Sequence, residues 1–341
     1  MRIAELQKKM SLGGIDAVVL CDIFNIKAFT GVEPDDDAIL VVKKAPNNPV
    51  LYTDFRYAVA AKRLCPWLEV EDVERFSVKN VRKVAYESAI RHDRYLEIAK
   101  CCCKAEFCLA DEMVGRLRAK KNDFEIEGIS RAAKINDKVW SYSLPRFKPG
   151  MTEREMARII KTAMVKFGDG EAFETIVCVG ENAAECHHVP DDTCWNGSAA
   201  LLIDMGVKVD GFCSDMTRTI PPKRKSALFK RVYELVKRAQ QTAIDALKPG
   251  MTGVELDAIA RKIIADGGFG NAFGHSLGHG VGYEVHEKPT ASAKSKCIFE
   301  PGMIVTIEPG VYLEGNFGVR IEDLVLVTEN GNKVLSKTPK M

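Results

Sequence analysis

Lys148-Pro149-Gly150-Met151-Thr152-Glu153-Arg154-Glu155 recurs 100 residues later as Lys248-Pro249-Gly250-Met251-Thr252-Gly253-Val254-Glu255. Each copy is a proline–glycine turn followed by Thr-x-x-Glu. That is a capping box, in which the threonine hydroxyl and the glutamate carboxylate satisfy backbone N–H groups at a helix start. Apolar residues then follow at helical spacing: Met156, Ile159, Ile160 and Met164 in one copy, Leu256, Ile259, Ile263 and Ile264 in the other. Gly168 and Gly267 suit the C-terminal stops. After each helix comes a histidine-containing segment and then a strand pair carrying carboxylates. Two half-domains related by duplication explain this economically, and their interface is a natural place for a site. Between the copies, Lys225 to Leu247 sets Leu228, Val232, Leu235, Val236 and Ala239 on one face, which predicts a helix packed on a sheet.

Upstream of the repeat, short apolar runs at Ile15–Leu20, Ala38–Val42 and Pro49–Tyr52 are bounded by Gly, Pro and Asp and read as strands. Phe55 to Leu64 and Val81 to Ala99 read as helices. A long helical segment runs from Phe124 to about Tyr142. With the boundary in the charged stretch Arg116 to Asp123, an α/β lobe over 1–122 precedes a duplicated α+β domain over 123–341. A chain of 341 residues exceeds what one hydrophobic core usually serves, in keeping with two domains.

Lys+Arg 49 against Asp+Glu 47 leaves a net charge of +2, which provides no broad field for nucleic acid or anionic lipid. No apolar run approaches the roughly 20 residues needed to cross a bilayer. The opening MRIAELQKKM reads as an amphipathic helix without the apolar stretch of an export signal. Eleven cysteines, three of them consecutive at Cys101 to Cys103, do not form a disulfide framework, so a reduced, cytoplasmic protein is expected.

Five of the six histidines (His187, His188, His275, His279 and His286) fall within 100 residues, so they are expected to share a location. Leu201-Leu-Ile-Asp204-Met-Gly-Val-Lys-Val-Asp210-Gly211-Phe-Cys-Ser-Asp215-Met-Thr217 reads as a hairpin closed by a type I′ turn at Asp210-Gly211. That turn sets Asp204 opposite Thr217 with Asp215 two residues away on the same face. Two buried carboxylates that close repel and are costly to desolvate unless a cation lies between them. Capping of turns, or pairing with Arg218, is the plainer alternative.

A second strand pair, Ile304-Val-Thr-Ile-Glu308-Pro-Gly-Val-Tyr312 and Gly318-Val-Arg320-Ile-Glu322-Asp, repeats the scheme. Pro309-Gly310 takes the place of Met205-Gly206. An odd-length loop centred on Gly315 would set Glu308 opposite Glu322, whereas a two-residue turn would put them on opposite faces. Alternation also places Arg320 on the face of Glu322, so a surface ladder pair is the plainer account of those two. Between the hairpins lies Gly274-His275-Ser-Leu-Gly-His279-Gly-Val-Gly-Tyr-Glu-Val-His286, whose glycines let the backbone approach something closely. Asp204, Asp215, His279, Glu308 and Glu322 together supply four carboxylates and one imidazole. Such an oxygen-dominated set suits harder divalent ions such as Mn²⁺ or Fe²⁺ better than structural zinc. Carboxylates able to bridge point to two ions, which acidify a water and polarise a carbonyl, and this is hydrolytic chemistry. Cys178, Cys186 and Cys194, eight residues apart, lack zinc-ligand spacing.

This constellation resembles the family of methionine aminopeptidases, aminopeptidase P and prolidase, over about 125–341. The resemblance implies the duplicated pita-bread fold and two divalent ions, with Mn²⁺ expected and Co²⁺, Fe²⁺ or Zn²⁺ as alternatives. It assigns Asp204 to one ion, His279 and Glu308 to the other, and Asp215 and Glu322 as bridges, with Glu308 also handling a proton. His286 matches the histidine that contacts the scissile peptide, and His187 the substrate-side histidine. Arg320, two before Glu322, and His275, four before His279, resemble the substrate-binding residues of the proline-selective branch. Asn25-Ile-Lys-Ala-Phe-Thr-Gly31 and Tyr52-Thr-Asp54-Phe-Arg56-Tyr57 are similar to motifs of that branch's N-terminal creatinase-like lobe. In relatives that lobe shapes the mouth of the site and contributes to dimerisation, so a homodimer is expected.

The resemblance implies an exopeptidase acting on peptides with proline second, aminopeptidase P being preferred and prolidase, acting on Xaa-Pro dipeptides, the alternative. Methionine aminopeptidase, or a metal-free binding protein of the same fold, stands further off. An Xaa-Pro bond is a tertiary amide without N–H, so a site that binds a peptide N–H leaves its acceptor unpaired on proline.

Overall fold

Ala17-Val-Val-Leu20 and Ile39-Leu-Val-Val-Lys43 are continuous apolar runs because the strands they form are covered on both faces. The computed structural model describes residues 2–341, which separate into two compact units, one ending at Arg118 and one beginning at Ala119. The first unit runs α1 (Arg2–Leu12), β1 (Ala17–Leu20), α2 (Ile23–Thr30), β2 (Ile39–Lys43), β3 (Val50–Thr53), α3 (Phe55–Leu64), β4 (Glu69–Asp72), β5 (Lys83–Tyr86), α4 (His92–Cys101), β6 (Glu106–Leu109) and α5 (Asp111–Ala119). Its sheet has the order β4-β3-β2-β1-β5-β6. β1, β5 and β6 are parallel, and β2 joins them antiparallel.

One expected element is corrected here. The stretch Val81 to Ala99 is not one helix but strand β5 followed by helix α4. Val84 and Ala85 are fully buried in the middle of the sheet, between β1 and β6. A short apolar run has no period that separates strand from helix, and the tertiary slot decides it.

The second unit continues with α6 (Asp123–Ser143), α7 (Glu153–Phe167), β7 (Gly170–Glu171), β8 (Ile176–Val179), β9 (Leu201–Met205), β10 (Val207–Val209), β11 (Phe212–Cys213), β12 (Met216–Ile220) and α8 (Ala227–Ala246). It ends with α9 (Gly253–Asp266), β13 (Gly278–Gly280), β14 (Glu287–Ala291), β15 (Ile304–Ile307), β16 (Gly310–Leu313), β17 (Phe317–Arg320), β18 (Asp323–Thr328) and β19 (Gly331–Val334). The first half builds sheets β12-β9-β8 and β11-β10-β7, the second β14-β13-β15-β18-β19 and β16-β17. Each half has its own apolar core: Met156, Ile160 and Met164 of α7 pack with the β8–β9 strands, and Leu256, Ala260 and Ile264 of α9 pack with α8, β15 and β18.

Both capping boxes are formed. Thr152 Oγ1 accepts from Glu155 N at 3.1 Å and Thr252 Oγ1 from Glu255 N at 3.3 Å, while each glutamate accepts from its threonine N–H. The duplication extends into the strand-like segment that each helix start pairs with. Glu153 N donates to Thr193 O and Arg154 N to Asp191 O, just as Gly253 N donates to Cys297 O and Val254 N to Ser295 O. Gly168 and Gly267 stand at the two helix ends, but neither is left-handed there; Gly268, with φ +87°, takes that role in the second copy. Among the described residues no helix is long and apolar enough to cross a membrane.

Candidate metal centre

The first hairpin has the register its turn dictates. Asp210 and Gly211 have φ of 52° and 77°, the two positive values of a type I′ turn. Val209 pairs with Phe212 next to the turn, and the same register carries through to Asp204 opposite Thr217. Asp215 lies where the ladder is interrupted, between β11 and β12. Gly206, beside it, has to be glycine: a Cβ would come within 2.2 Å of the Ser214 carbonyl oxygen.

The second hairpin closes through the three-residue loop Glu314-Gly315-Asn316, with Leu313 paired to Phe317 and Gly315 at φ +68°. The odd loop puts Gly310 opposite Arg320, and β15 meets β18 in the same register with Ile307 opposite Asp323. Glu308 and Glu322 therefore face each other in the gap between the two ladders. His279 comes from β13, whose Gly278 approaches β15 so closely that a Cβ would sit 1.8 Å from the Thr306 carbonyl oxygen. Thr306 Oγ1 accepts from His279 N at 3.0 Å and donates to Glu308 Oε1 at 3.2 Å, fixing ligand candidates on two strands at once.

These elements converge on one cavity of about 470 Å³. Asp204, Asp215, His279, Glu308, Glu322, His187, His275, His286 and Arg320 all line it, so every nominated side chain reaches the same space. Asp215, His279 and Glu322 each present one ligand atom within 4.8 Å of the others. His279 Nε2 lies 3.3 Å from Glu308 Oε1 and 3.6 Å from Asp215 Oδ2. The rings of His279 and His286 are 4.3 Å apart between centroids.

The electrostatics favour a cation in this space. Burial, together with the charges of neighbouring carboxylates, pushes the Asp215 and Glu322 carboxyls well above their ordinary range. For Glu308 burial acts in the same direction, but the hydrogen bond and charge of His279 outweigh it and hold the carboxyl low. Asp204 Oδ1 is buried with no hydrogen-bond partner among the described residues. Crowded acids, one unpartnered carboxylate oxygen and an imidazole facing a cavity fit divalent ions.

One arginine reaches this cluster without filling it. Arg320 Nη2 lies 2.6 Å from Asp204 Oδ2, and Oδ1 keeps no hydrogen-bond partner among the described residues. Arg320 also donates to Thr217 Oγ1 at 3.0 Å and to the Tyr312 hydroxyl at 2.9 Å. Tyr312 in turn lies 2.9 Å from His275 Nε2. Thr217 Oγ1 donates to Glu322 Oε2 at 2.7 Å. Tyr312, Thr217 and Thr306 are the residues that sequence reasoning missed. Strand alternation held a signal for all three: Thr306 is two residues before Glu308, Tyr312 four beyond it, and Thr217 two beyond Asp215.

The plainer accounts fail on burial and partners. Arg218 does not neutralise Asp204 or Asp215; it is spent on Asp323, 2.6 Å away, and on backbone carbonyls. Arg320 and Glu322 are not a surface ladder pair, being 3% and 1% exposed.

Residues 127–329 match metallopeptidase family M24, and residues 2–120 match the creatinase/prolidase N-terminal domain. The chain is 35% identical to an Xaa-Pro dipeptidase of Pyrococcus furiosus over 346 residues, covering 99% of this chain and 98% of that one. The crystal structure of the prolidase from Pyrococcus horikoshii superposes with a TM-score of 0.93 at 33% identity, covering 99% of both chains. An X-Pro aminopeptidase from Thermotoga maritima superposes at 0.84 with 32% identity, over 96% of this chain and 97% of that one. With a creatinase-type lobe ahead of a duplicated, acid-lined catalytic unit, the chain belongs to metallopeptidase family M24, in its proline-selective branch of hydrolases.

Proposed function

We propose that this protein is an Xaa-Pro dipeptidase. The observation that carries the reading is full-length similarity to Xaa-Pro dipeptidases from two Pyrococcus species, at 35% and 33% identity over 99% of the chain. This moves the preference from aminopeptidase P, the first expectation, to its alternative. In the proposed site Asp204 would hold one divalent ion, His279 and Glu308 the other, and Asp215 and Glu322 would serve both. Such ions, with Mn²⁺ expected for so oxygen-rich a set, would supply the acidity that ionises a water molecule and the polarisation of the scissile carbonyl.

The side chains divide the remaining tasks. Glu308, on the cavity wall, accepts a proton during attack and returns it to the departing proline nitrogen. His286, beside His279 on the cavity wall, donates to the oxygen of the scissile carbonyl. His187 contacts the substrate from the first half. His275 and Arg320, joined through the Tyr312 hydroxyl, bind the proline end of the substrate, where a dipeptide carries a free carboxylate suited to a guanidinium. No group in this scheme needs an N–H on the scissile amide, which is what a tertiary Xaa-Pro bond lacks. A homodimer and a cytoplasmic setting accompany the reading; the free state of all eleven cysteines supports a reducing compartment.

A length series tests the proposal. Purified protein with added Mn²⁺ is expected to cleave Xaa-Pro dipeptides far faster than Xaa-Pro-Xaa tripeptides and longer peptides. Preferential cleavage of the longer peptides would return the assignment to aminopeptidase P, the reading favoured by the likeness to the Thermotoga X-Pro aminopeptidase.

A further inference from the structure

Glu153, the first residue of α7, is a carboxylate with no exposed surface and no part in the chemistry above. It is fully occupied. Oε1 accepts from Val179 N at 2.6 Å and Asn182 Nδ2 at 2.9 Å; Oε2 accepts from His188 Nε2 at 2.7 Å and Asp191 N at 3.0 Å. The four donors span residues 179 to 191, and the span contains His187. His187 is exposed and so is not held by packing, whereas the adjacent His188 is 8% exposed and bonded to Glu153. The carboxylate also sits at a helix N-terminus, where the unpaired N–H groups favour negative charge.

We infer that Glu153, through His188, is a positioning residue that sets the backbone carrying His187 at the wall of the catalytic cavity. This rests on the proposed substrate-side role of His187. Beyond β8, which ends at Val179, the chain as far as Thr193 has a single helical turn, so little regular structure fixes His187. A buried charge receiving hydrogen bonds along that stretch replaces the missing ladder.

Glu153, His188 and Asp191 are near enough to one another to be considered as a metal site. The geometry argues against it. Both ring nitrogens of His188 lie within hydrogen-bond distance of carboxylates, Nε2 at 2.7 Å from Glu153 and Nδ1 at 3.1 Å from Glu185. Only the doubly protonated ring donates at both, and that ring has no lone pair for an ion. In accord with this, burial acts to lower the His188 pKa, but Glu153 and Glu185, with Asp191 nearby, outweigh it and hold it above its ordinary value.

A double-mutant cycle on the full-length, Mn²⁺-loaded enzyme with an Xaa-Pro dipeptide tests the inference. Glu153→Gln, His187→Ala and the double variant are compared by kcat and KM, with bound Mn²⁺ counted in each. Glu153→Gln is expected to lower kcat/KM by about 10- to 100-fold at unchanged Mn²⁺ stoichiometry. In the His187→Ala background the same change should cost less than about twofold, because the group it positions is gone. Equal losses in both backgrounds would overturn the positioning role while leaving the function intact. Full activity of His187→Ala would instead remove the substrate-side role of His187, and the inference with it. Should Glu153→Gln fail to fold, His188→Gln runs the same cycle, with a smaller loss and the same expected non-additivity. A drop in Mn²⁺ stoichiometry by one in Glu153→Gln, with activity retained, would make the cluster a metal site and refute the inference.

Discussion

The two halves of the catalytic unit start from one octapeptide pattern and solve the same anchoring task differently. At the second position of each capping box the first half carries Glu153 and the second Gly253. Around them the backbone contacts are equivalent, helix N–H groups donating to carbonyls of the passing segment in both. In the first half that segment is held by the buried Glu153 carboxylate. In the second, the segment comes so close that a Cβ at Gly253 would lie 2.2 Å from the Thr290 carbonyl oxygen and 2.6 Å from Ser295 Oγ. Charge anchors the passing segment in the first half and close backbone contact in the second. The hairpins show a similar division. Asp204 faces Thr217 in one, and Glu308 faces Glu322 in the other, with Thr217 and Glu322 hydrogen-bonded across the interface of the halves. A duplicated scaffold thus keeps its register while the residues at equivalent positions diverge.

The largest expected effect breaks the shared centre. Asp215→Asn should drop kcat/KM by roughly three orders of magnitude or more and lose bound Mn²⁺, while circular dichroism and the melting transition persist. Removal of charge from so crowded a cluster relieves repulsion, so the apo form of this variant should melt no lower than wild type. Retention of most of the activity would refute a bridging role. Next comes the second half's close approach. Gly253→Ala should destabilise by about 1–3 kcal/mol in urea titrations, since backbone and Ser295 must shift to admit one methyl group. A neutral result would mean that the α9 start has slack where α7 has none.

The capping boxes sharpen the comparison from its conserved side. Thr152→Ala and Thr252→Ala should each cost about 1 kcal/mol, alike within about 0.5 kcal/mol, because both lose the same N-cap hydrogen bond. A clear inequality would show that one helix start is held by its surroundings rather than its cap. The smallest effect is a pH dependence confined to the first half. His188 titrates above its ordinary value in the folded protein, so its contribution to stability is full below that ordinary value. It is lost as pH rises through the folded pKa. Between neutral and mildly alkaline pH the stability advantage of wild type over His188→Gln should shrink, with a slope of at most about 1.4 kcal/mol per pH unit. An advantage independent of pH would mean that His188 is neutral throughout.

How much of the site could be read in advance depended on the kind of constraint. The Asp210-Gly211 turn and a two-residue side-chain period were enough to put Asp204 opposite Thr217. For Glu308 and Glu322 the same period narrowed the answer to a parity: an odd loop or a bulge would let them face, and the loop Glu314-Gly315-Asn316 is odd. Arg320 against Asp204 joins residues 116 apart on hairpins from different halves, and no local rule reaches that distance. Glu153 shows the limit most clearly, since its capping-box neighbours explained its position while its burial and four partners are tertiary facts. β5 was misread for the reason that Glu153 was passed over: a run of a few residues carries too little periodicity to say what will cover it.

By itself the sequence determined the duplication, the caps, the register of the first hairpin and the five acid and imidazole groups suited to a pair of hard cations. All of these are set within a few residues, by turn geometry, side-chain period and donor chemistry. Only the tertiary structure decided that Arg320 engages one oxygen of Asp204 and leaves the other without a hydrogen-bond partner among the described residues, that Tyr312 links His275 to Arg320, and that a buried carboxylate secures the His187 segment. Those contacts depend on how two separately specified halves pack against each other, and packing is settled by the whole core at once.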